Sequence, residues 1–135
     1  MSFAYTVPQL HQFFHVLKEH CLAEGTDYER IWRTVTVFCA IGETDEQAIA
    51  SFSDAWKAHF QTIKDRSVAA LVEGITAILD GDPAGALSLG PIGSSQTIRK
   101  CLAAYEAIGV QELRLIFPDA VHLDSIRRFA NEFIA

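Results

Sequence analysis

The sequence predicts an α/β fold, on three observations. The stretch from Gly90 to Phe117 reads as loop, helix, tight turn and buried strand. Thr34 to Ile41 (TVTVFCAI) is rich in β-branched and aromatic residues and is bounded by Gly42, the composition of a buried strand. The segments around these two runs carry apolar residues at helical period. A helix that returns to a strand with almost no connection is the αβ half of a βαβ repeat.

In chain order, Ser2 to Val7 is short and apolar and suits a strand stub. Pro8 fits the first turn of a helix whose stripe is Leu10, Phe13, Phe14, Leu17 and Cys21, ending at Gly25. Asp27 is placed to cap a short turn over Tyr28-Glu29-Arg30-Ile31, and the strand at Thr34–Ile41 follows. Thr44-Asp45-Glu46-Gln47 has capping-box spacing, with Ala48, Ile49, Phe52, Ala55, Trp56 and Phe60 as the apolar face behind it. Val68, Leu71, Val72, Ile75, Ile78 and Leu79 predict a further helix, ended by Asp80-Gly81-Asp82-Pro83. The segment up to Gly93 reads as loop with a short extended piece at Ala86–Leu89. Ser94 or Ser95 caps the next helix, whose face is Ile98, Cys101, Leu102, Tyr105 and Ile108, and Gly109 sits at its C′ position. Leu113, Leu115, Ile116 and Phe117 form a strand stopped by Pro118. Asp119 is then placed to cap a last helix with the face Leu123, Ile126, Phe129, Ala130, Phe133 and Ile134. The helix before the second strand should pack on both strands, and those strands should be parallel. No internal repeat or linker divides residues 1–135, so one domain is expected.

Composition narrows the function classes. A hydrophobic content of 50% with nine Phe in 135 residues argues for a packed core. The net charge of −6 and the absence of a basic run argue against nucleic-acid and anionic-membrane partners. Cys21, Cys39 and Cys101 are odd in number and show no CxxC spacing, so neither a disulfide framework nor a zinc site is expected. No apolar run reaches the roughly 20 residues of a membrane span, and no signal-peptide pattern follows Met1. A cytoplasmic setting is the expectation.

The motifs themselves carry a resemblance. Gly93-Ser94-Ser95-Gln96, a helix, Ala107-Ile108-Gly109-Val110, and then Leu113 to Phe117 resemble the end of the bacterial luciferase-like monooxygenase family. There the pattern is G-[ST]-P-E, a helix, "aGvd", and a strand closing a (β/α)8 barrel. Upstream, VLKEHCLAEGTDYERIWRTVTVFCAIGETDEQA is similar to that family's "vLreHCaevGRDydeIerTv" and "aeTdeeA", a wording commonest among deazaflavin-using members. Ser95 stands where the family has Pro, Gln96 where it has Glu, and Thr26 where it has Arg.

The resemblance implies an incomplete TIM barrel, the C-terminal part from helix six to helix eight. Residues 44–93 would be the insertion of helices and loop after strand seven. It implies FMN or a deazaflavin coenzyme, used to activate oxygen or to pass a hydride. A complete barrel needs roughly 250 residues. The early strands that bear most of the family's active site have no counterpart here, so no catalytic residue is carried over.

Few residues point to chemistry on their own. The helix start at Gly93, Ser94 and Ser95 offers backbone N–H groups to a cofactor phosphate, with ordinary helix capping as the plainer reading. His11 and His15 have the i, i+4 spacing that can grip a metal, but no third ligand joins them, and no metal is expected. His59 and His122 are single. Asp45/Glu46 and Asp80/Asp82 pair by adjacency at helix ends only. Trp32, Trp56 and the Phe stripe read as core.

Three readings follow. One is the C-terminal part of a luciferase-like flavin- or deazaflavin-dependent oxidoreductase. Another is a non-catalytic interaction or dimerisation module derived from a barrel fragment. The third is an enzyme reassembled from two half-barrels or completed by a separate N-terminal half. A few barrel strands leave unpaired sheet edges, so a homo-oligomer, or dependence on an N-terminal barrel half, is expected.

Overall fold

The computed structural model describes residues 2–3, 6–60, 63–119 and 123–134. Ala4, Tyr5 and His122 lie outside the described residues. The fold is α/β. In order, the elements are β1 (Ser2–Phe3), α1 (Val7–Glu24), β2 (Thr34–Phe38), β3 (Ala40–Ile41), α2 (Asp45–His59), α3 (Ala69–Gly81), β4 (Ile92–Gly93), α4 (Ser95–Ala107), β5 (Glu112–Ile116) and α5 (Asp124–Phe133). Short 3-10 turns lie at Tyr28–Arg30 and Pro83–Ser88.

The expected central strand becomes β2 and β3, separated only at Cys39. One edge of it carries β5, in parallel, from Thr34↔Glu112 to Phe38↔Ile116. The pairing continues to Cys39, whose N–H donates to the Ile116 carbonyl at 2.9 Å. The other edge carries β1 and then β4, both parallel. The rungs beyond β1 run from the N–H groups of Phe38, Ala40 and Gly42 to the carbonyls of Leu89, Pro91 and Gly93. The extended neighbour is therefore Leu89–Gly93, whereas Ala86 to Ser88 belong to a 3-10 turn. The periodicity of so short an apolar run does not separate those two conformations.

The strand period of two sorts the core into layers. Val35 and Val37 face Leu10 of α1 and Tyr105 of α4, with Phe14, Cys101, Ile108 and Leu113 packed around them. Further along the same face, Cys39 and Ile41 meet Ile98 of α4 and Phe129 of α5. The helix α4 thus packs on both strands, as its apolar face predicts. The opposite face is covered by α2 and α3. There Phe38 and Ala40 meet Phe52, Trp56, Val72, Ile75 and Leu79. Phe38 lies edge-on to Phe52, Trp56 and Phe60, while Trp56 stacks on Phe60 at 5.1 Å between centroids.

That second cover stops halfway. Toward the N-terminal end of the strands the same face carries Thr34 and Thr36 beside Glu112 and Arg114, and Glu112 and Arg114 keep 40% and 58% of their side-chain exposure. Parallel sheets are ordinarily covered on both faces. Here the β5 side of one face is polar, with Glu112 and Arg114 partly exposed and Thr36 buried beside them.

Caps follow the sequence closely. Thr6 and Gln9 form a reciprocal capping box on α1, and Gly25 ends it in the left-handed region. Thr44 Oγ1 accepts from Gln47 N–H at 3.2 Å, but Gln47 Oε1 accepts from the N–H of Glu43 and not of the cap, so the box is shifted by one residue. Ser94, of the two candidates, is the N-cap of α4. Four expectations change, the first being the face of α5, which buries Phe129 but leaves Leu123, Ile126 and Ile134 exposed. Trp32 is 62% exposed, its Nε1–H donating to Glu112 at 3.1 Å, because it enters β2 at the open end of the sheet. Phe13 is 49% exposed, since α1 turns Leu10, Phe14 and Cys21 inward and leaves Phe13 to one side. Asp119 does not cap α5: the helix starts at Asp124, and Asp119 instead accepts from the Ser125 hydroxyl.

Candidate functional site

The candidate cofactor residues Gly93, Ser94 and Ser95 lie where two helix starts meet. The Gly42 N–H donates to the Gly93 carbonyl at 3.1 Å, which sets the first turn of α2 beside that of α4. Thr44 caps α2 and so directs Asp45 across to its neighbour. Asp45 Oδ1 accepts from the Ser94 N–H at 2.8 Å and from Thr97 Oγ1 at 2.7 Å. Gly93 has φ of 151°, and a Cβ there would stand 2.7 Å from that same carboxylate oxygen and from Thr97 Cγ2. Glycine is required at 93 because a carboxylate is packed against it.

The anion expected at this helix start is the protein's own. A carboxylate at a helix N-terminus is favoured by the free N–H groups and the helix dipole. The hydrogen bond from the Ser94 N–H, and then that from Thr97, hold Asp45 below the usual carboxylate range. A phosphate would have to displace Asp45 and would meet its charge, so these residues do not fit a cofactor phosphate as they stand. Ser95 turns away from the pair. Its hydroxyl donates to Glu132 of α5, which also accepts from Arg128 Nε at 3.1 Å, and Arg128 reaches Glu43 at 3.1 Å. The structure brings Gly93 and Ser94 together with Asp45 and Thr97, and ties Ser95 to α5. Asp45 itself is legible beforehand only as an acidic residue in a first turn, because its partner lies 49 residues away.

A pH dependence follows from this geometry. The folded state holds Asp45 below the ordinary Asp value of about 3.9. Its contribution is therefore fully present above that value and is lost as pH falls through the lower folded one. Asp45→Asn should flatten the acid limb of a stability-against-pH curve while leaving its shape at pH 6–8 unchanged. Urea midpoints from pH 2 to 7 are the measurement. An acid limb identical in both proteins would mean that Asp45 is not held as described.

The other candidates stay apart. His11, His15 and His20 are exposed on α1, and His15 Nε2 lies 3.1 Å from Glu19. His59 is exposed at the end of α2. Among the described residues no group of three or more His, Cys, Asp or Glu side chains could hold a metal ion. Burial pushes the Cys39 thiol up, and that of Cys101 up to about 11, so neither is a thiolate at neutral pH.

The C-terminal ends of parallel strands are where α/β folds usually place a site. Here Phe38, Phe52, Trp56 and Phe60 pack over one sheet face toward that end. Open grooves lie elsewhere among the described residues, two of them of similar size. One, of about 610 Å³, runs along α2 between Asp45, Glu46, Ile49, Asp54 and Leu87. The other, of about 620 Å³, lies beside β5 and is lined by Trp32, Leu102, Tyr105, Val110, Gln111 and Leu113 among others. Among the described residues no helix is long and apolar enough to cross a membrane. No known family model matches this chain, and no curated protein matches it.

Proposed function

We propose that this chain is the C-terminal part of a luciferase-like flavin- or deazaflavin-dependent oxidoreductase, running from helix six to helix eight of a (β/α)8 barrel. The observation that carries the reading is the order of the sheet. Its strands β1, β2 and β5 are parallel neighbours in chain order, with α1 between the first two and α4 before the third. These three strands follow chain order as barrel strands do, while α2, α3 and β4, which returns to the β1 edge, leave the C-terminal end of the central strand as an insertion of that family would. In this reading FMN or a deazaflavin coenzyme is bound by a barrel that a second copy of the chain completes. The residues described here would supply the closing strand and its helices.

A second reading is favoured by a different observation. Asp45 occupies the helix start at Gly93, Ser94 and Ser95, and aromatic side chains cover the C-terminal half of one sheet face. Both suit a non-catalytic interaction module, cytoplasmic, acting as a homo-oligomer or as the partner of an N-terminal barrel half. Fluorescence titration of FMN and of a deazaflavin coenzyme with the purified protein separates the two readings. The oxidoreductase reading expects saturable quenching at micromolar protein, unchanged in Ser94→Ala because the Ser94 hydroxyl only caps α4 while its backbone N–H goes to Asp45. A folded, colourless oligomer that quenches neither would overturn the cofactor part and leave the interaction module.

A further inference from the structure

We infer that the outer edge of β5 pairs with β5 of a second copy of this chain, antiparallel, about a two-fold axis through Leu113. The inference rests on the interaction-module reading and names the partner and the contact. It starts from which backbone groups of β5 are already used. The Ile116 carbonyl accepts from Cys39, and the Glu112 N–H donates to the Arg33 carbonyl. Both residues therefore face β2. Because successive residues of a strand point their N–H and C=O groups to opposite sides, those of Leu113 and Leu115 face outward. No described strand lies beyond them. The burial difference agrees: Val35, Val37 and Phe38 of β2 are buried, while no residue of β5 is.

The sequence of this edge selects its own partner. Glu112 and Arg114 flank Leu113 on the same face of the sheet, 2.9 Å apart. With the axis at Leu113, Glu112 of each copy stands opposite Arg114 of the other, giving two opposite-charge cross-strand pairs. An axis at Arg114 would oppose Arg114 to itself. An axis at Leu115 would set Arg114 against Ile116. Directly opposed unlike charges stabilise a strand pair, and like charges destabilise it. Only the Leu113 axis uses the charges well. It also makes Leu113 a hydrogen-bonded pair, each copy donating its N–H to the other's carbonyl.

The other face of the edge fits the same arrangement. Leu113 and Leu115 turn their side chains toward the helical layer, and the groove of about 620 Å³ opens beside them, lined by Leu102, Tyr105, Val110 and Gln111. Leu115 of the second copy falls opposite Gln111, so it reaches this groove. Such a contact covers an open parallel edge, which is otherwise a template for unspecific pairing.

A charge-reversal cycle tests the contact. At micromolar concentration, sedimentation equilibrium should show twice the 14.9 kDa chain mass. Glu112→Arg and Arg114→Glu should each raise the dimer dissociation constant about tenfold, because each turns two attractive pairs into repulsive ones. The double variant should return close to the original value. Leu113→Cys gives an independent reading, since the two-fold axis brings the Cα atoms at 113 to about 5.5 Å, within disulfide reach. Diamide should crosslink that variant rapidly and a Leu115→Cys variant poorly. A monomeric wild type would overturn both this contact and the oligomer it belongs to. A dimer indifferent to the charge cycle and to crosslinking at 113 would overturn this contact alone and leave the interaction module standing.

Discussion

Arg33→Ala is expected to lower the unfolding free energy by about 3 kcal/mol, measured as a urea midpoint with an unchanged slope. Arg33 keeps only 6% of its side-chain exposure. Its Nε–H donates to the Gly109 carbonyl at 2.7 Å, and one terminal nitrogen donates to the carbonyls of Tyr28 and Ile31, both at 3.2 Å. The guanidinium also lies 4.4 Å from the centre of the Tyr28 ring. Its backbone joins the same junction: its N–H donates to the Gln111 side chain, and its carbonyl accepts from Gln111 and Glu112. One residue thus ties the entry of β2, the 3-10 turn before it and the turn from α4 into β5. Truncation leaves three part-buried carbonyls without that donor, and each such loss costs about 1–3 kcal/mol before water relaxes into the space. The ion pair with Glu29 adds little, at 3.6 Å to a side chain that is 73% exposed. Arg33→Lys should recover less than half of the loss, because one ammonium cannot reproduce the planar fork. A loss under about 1 kcal/mol for Arg33→Ala would mean that the junction is held by the backbone alone.

What the sequence shows of this fold is whatever repeats at a short period. The α4 face from Ile98 to Tyr105, its serine cap and the glycine after it are local signals, and each corresponds to a feature of the structure. The β2 and β5 runs are also local, and their parallel pairing follows from the helical crossover between them. Arg33 has no such signal. Its acceptors come from positions 2, 5 and 76 residues away, and no window of sequence contains them. Asp45 is the same case at a site. It reads as an acidic residue suited to its own helix, while its hydrogen bonds go to another helix start. Trp32 fails for the opposite reason. An aromatic residue before a strand reads as core, and only the sheet order reveals that it stands at the open end beside β5. The apolar face of α2 is legible as a stripe, but not that it would stack Trp56 against Phe38 over the C-terminal end of the strands.

Gly90→Ala should be at least as damaging, with an expected loss of about 3–5 kcal/mol. Gly90 has φ of 155°, where a side chain is strained, and an added Cβ would stand 2.1 Å from the Phe38 carbonyl oxygen. That neighbour is backbone in the central strand and cannot rotate aside. The segment carrying Gly90 would have to withdraw from β2. It is held by the rungs from Phe38 to Leu89 at 3.4 Å and from Ala40 to Pro91 at 3.3 Å, which lie on either side of the glycine. Withdrawal breaks both, and it lifts Leu89 and Ile92 out of the core shared with Trp56 and Ile75. Gly74→Ala is the matching control: it lies within α3, its Cβ would meet nothing within 4 Å, and alanine there should stabilise by about 0.5–1 kcal/mol. Paired urea titrations of the two variants make the comparison, with near-ultraviolet circular dichroism reporting the packing around Trp56. If Gly90→Ala kept its stability to within about 1 kcal/mol, the close approach of residues 89–93 to the central strand would not be a fixed part of the fold.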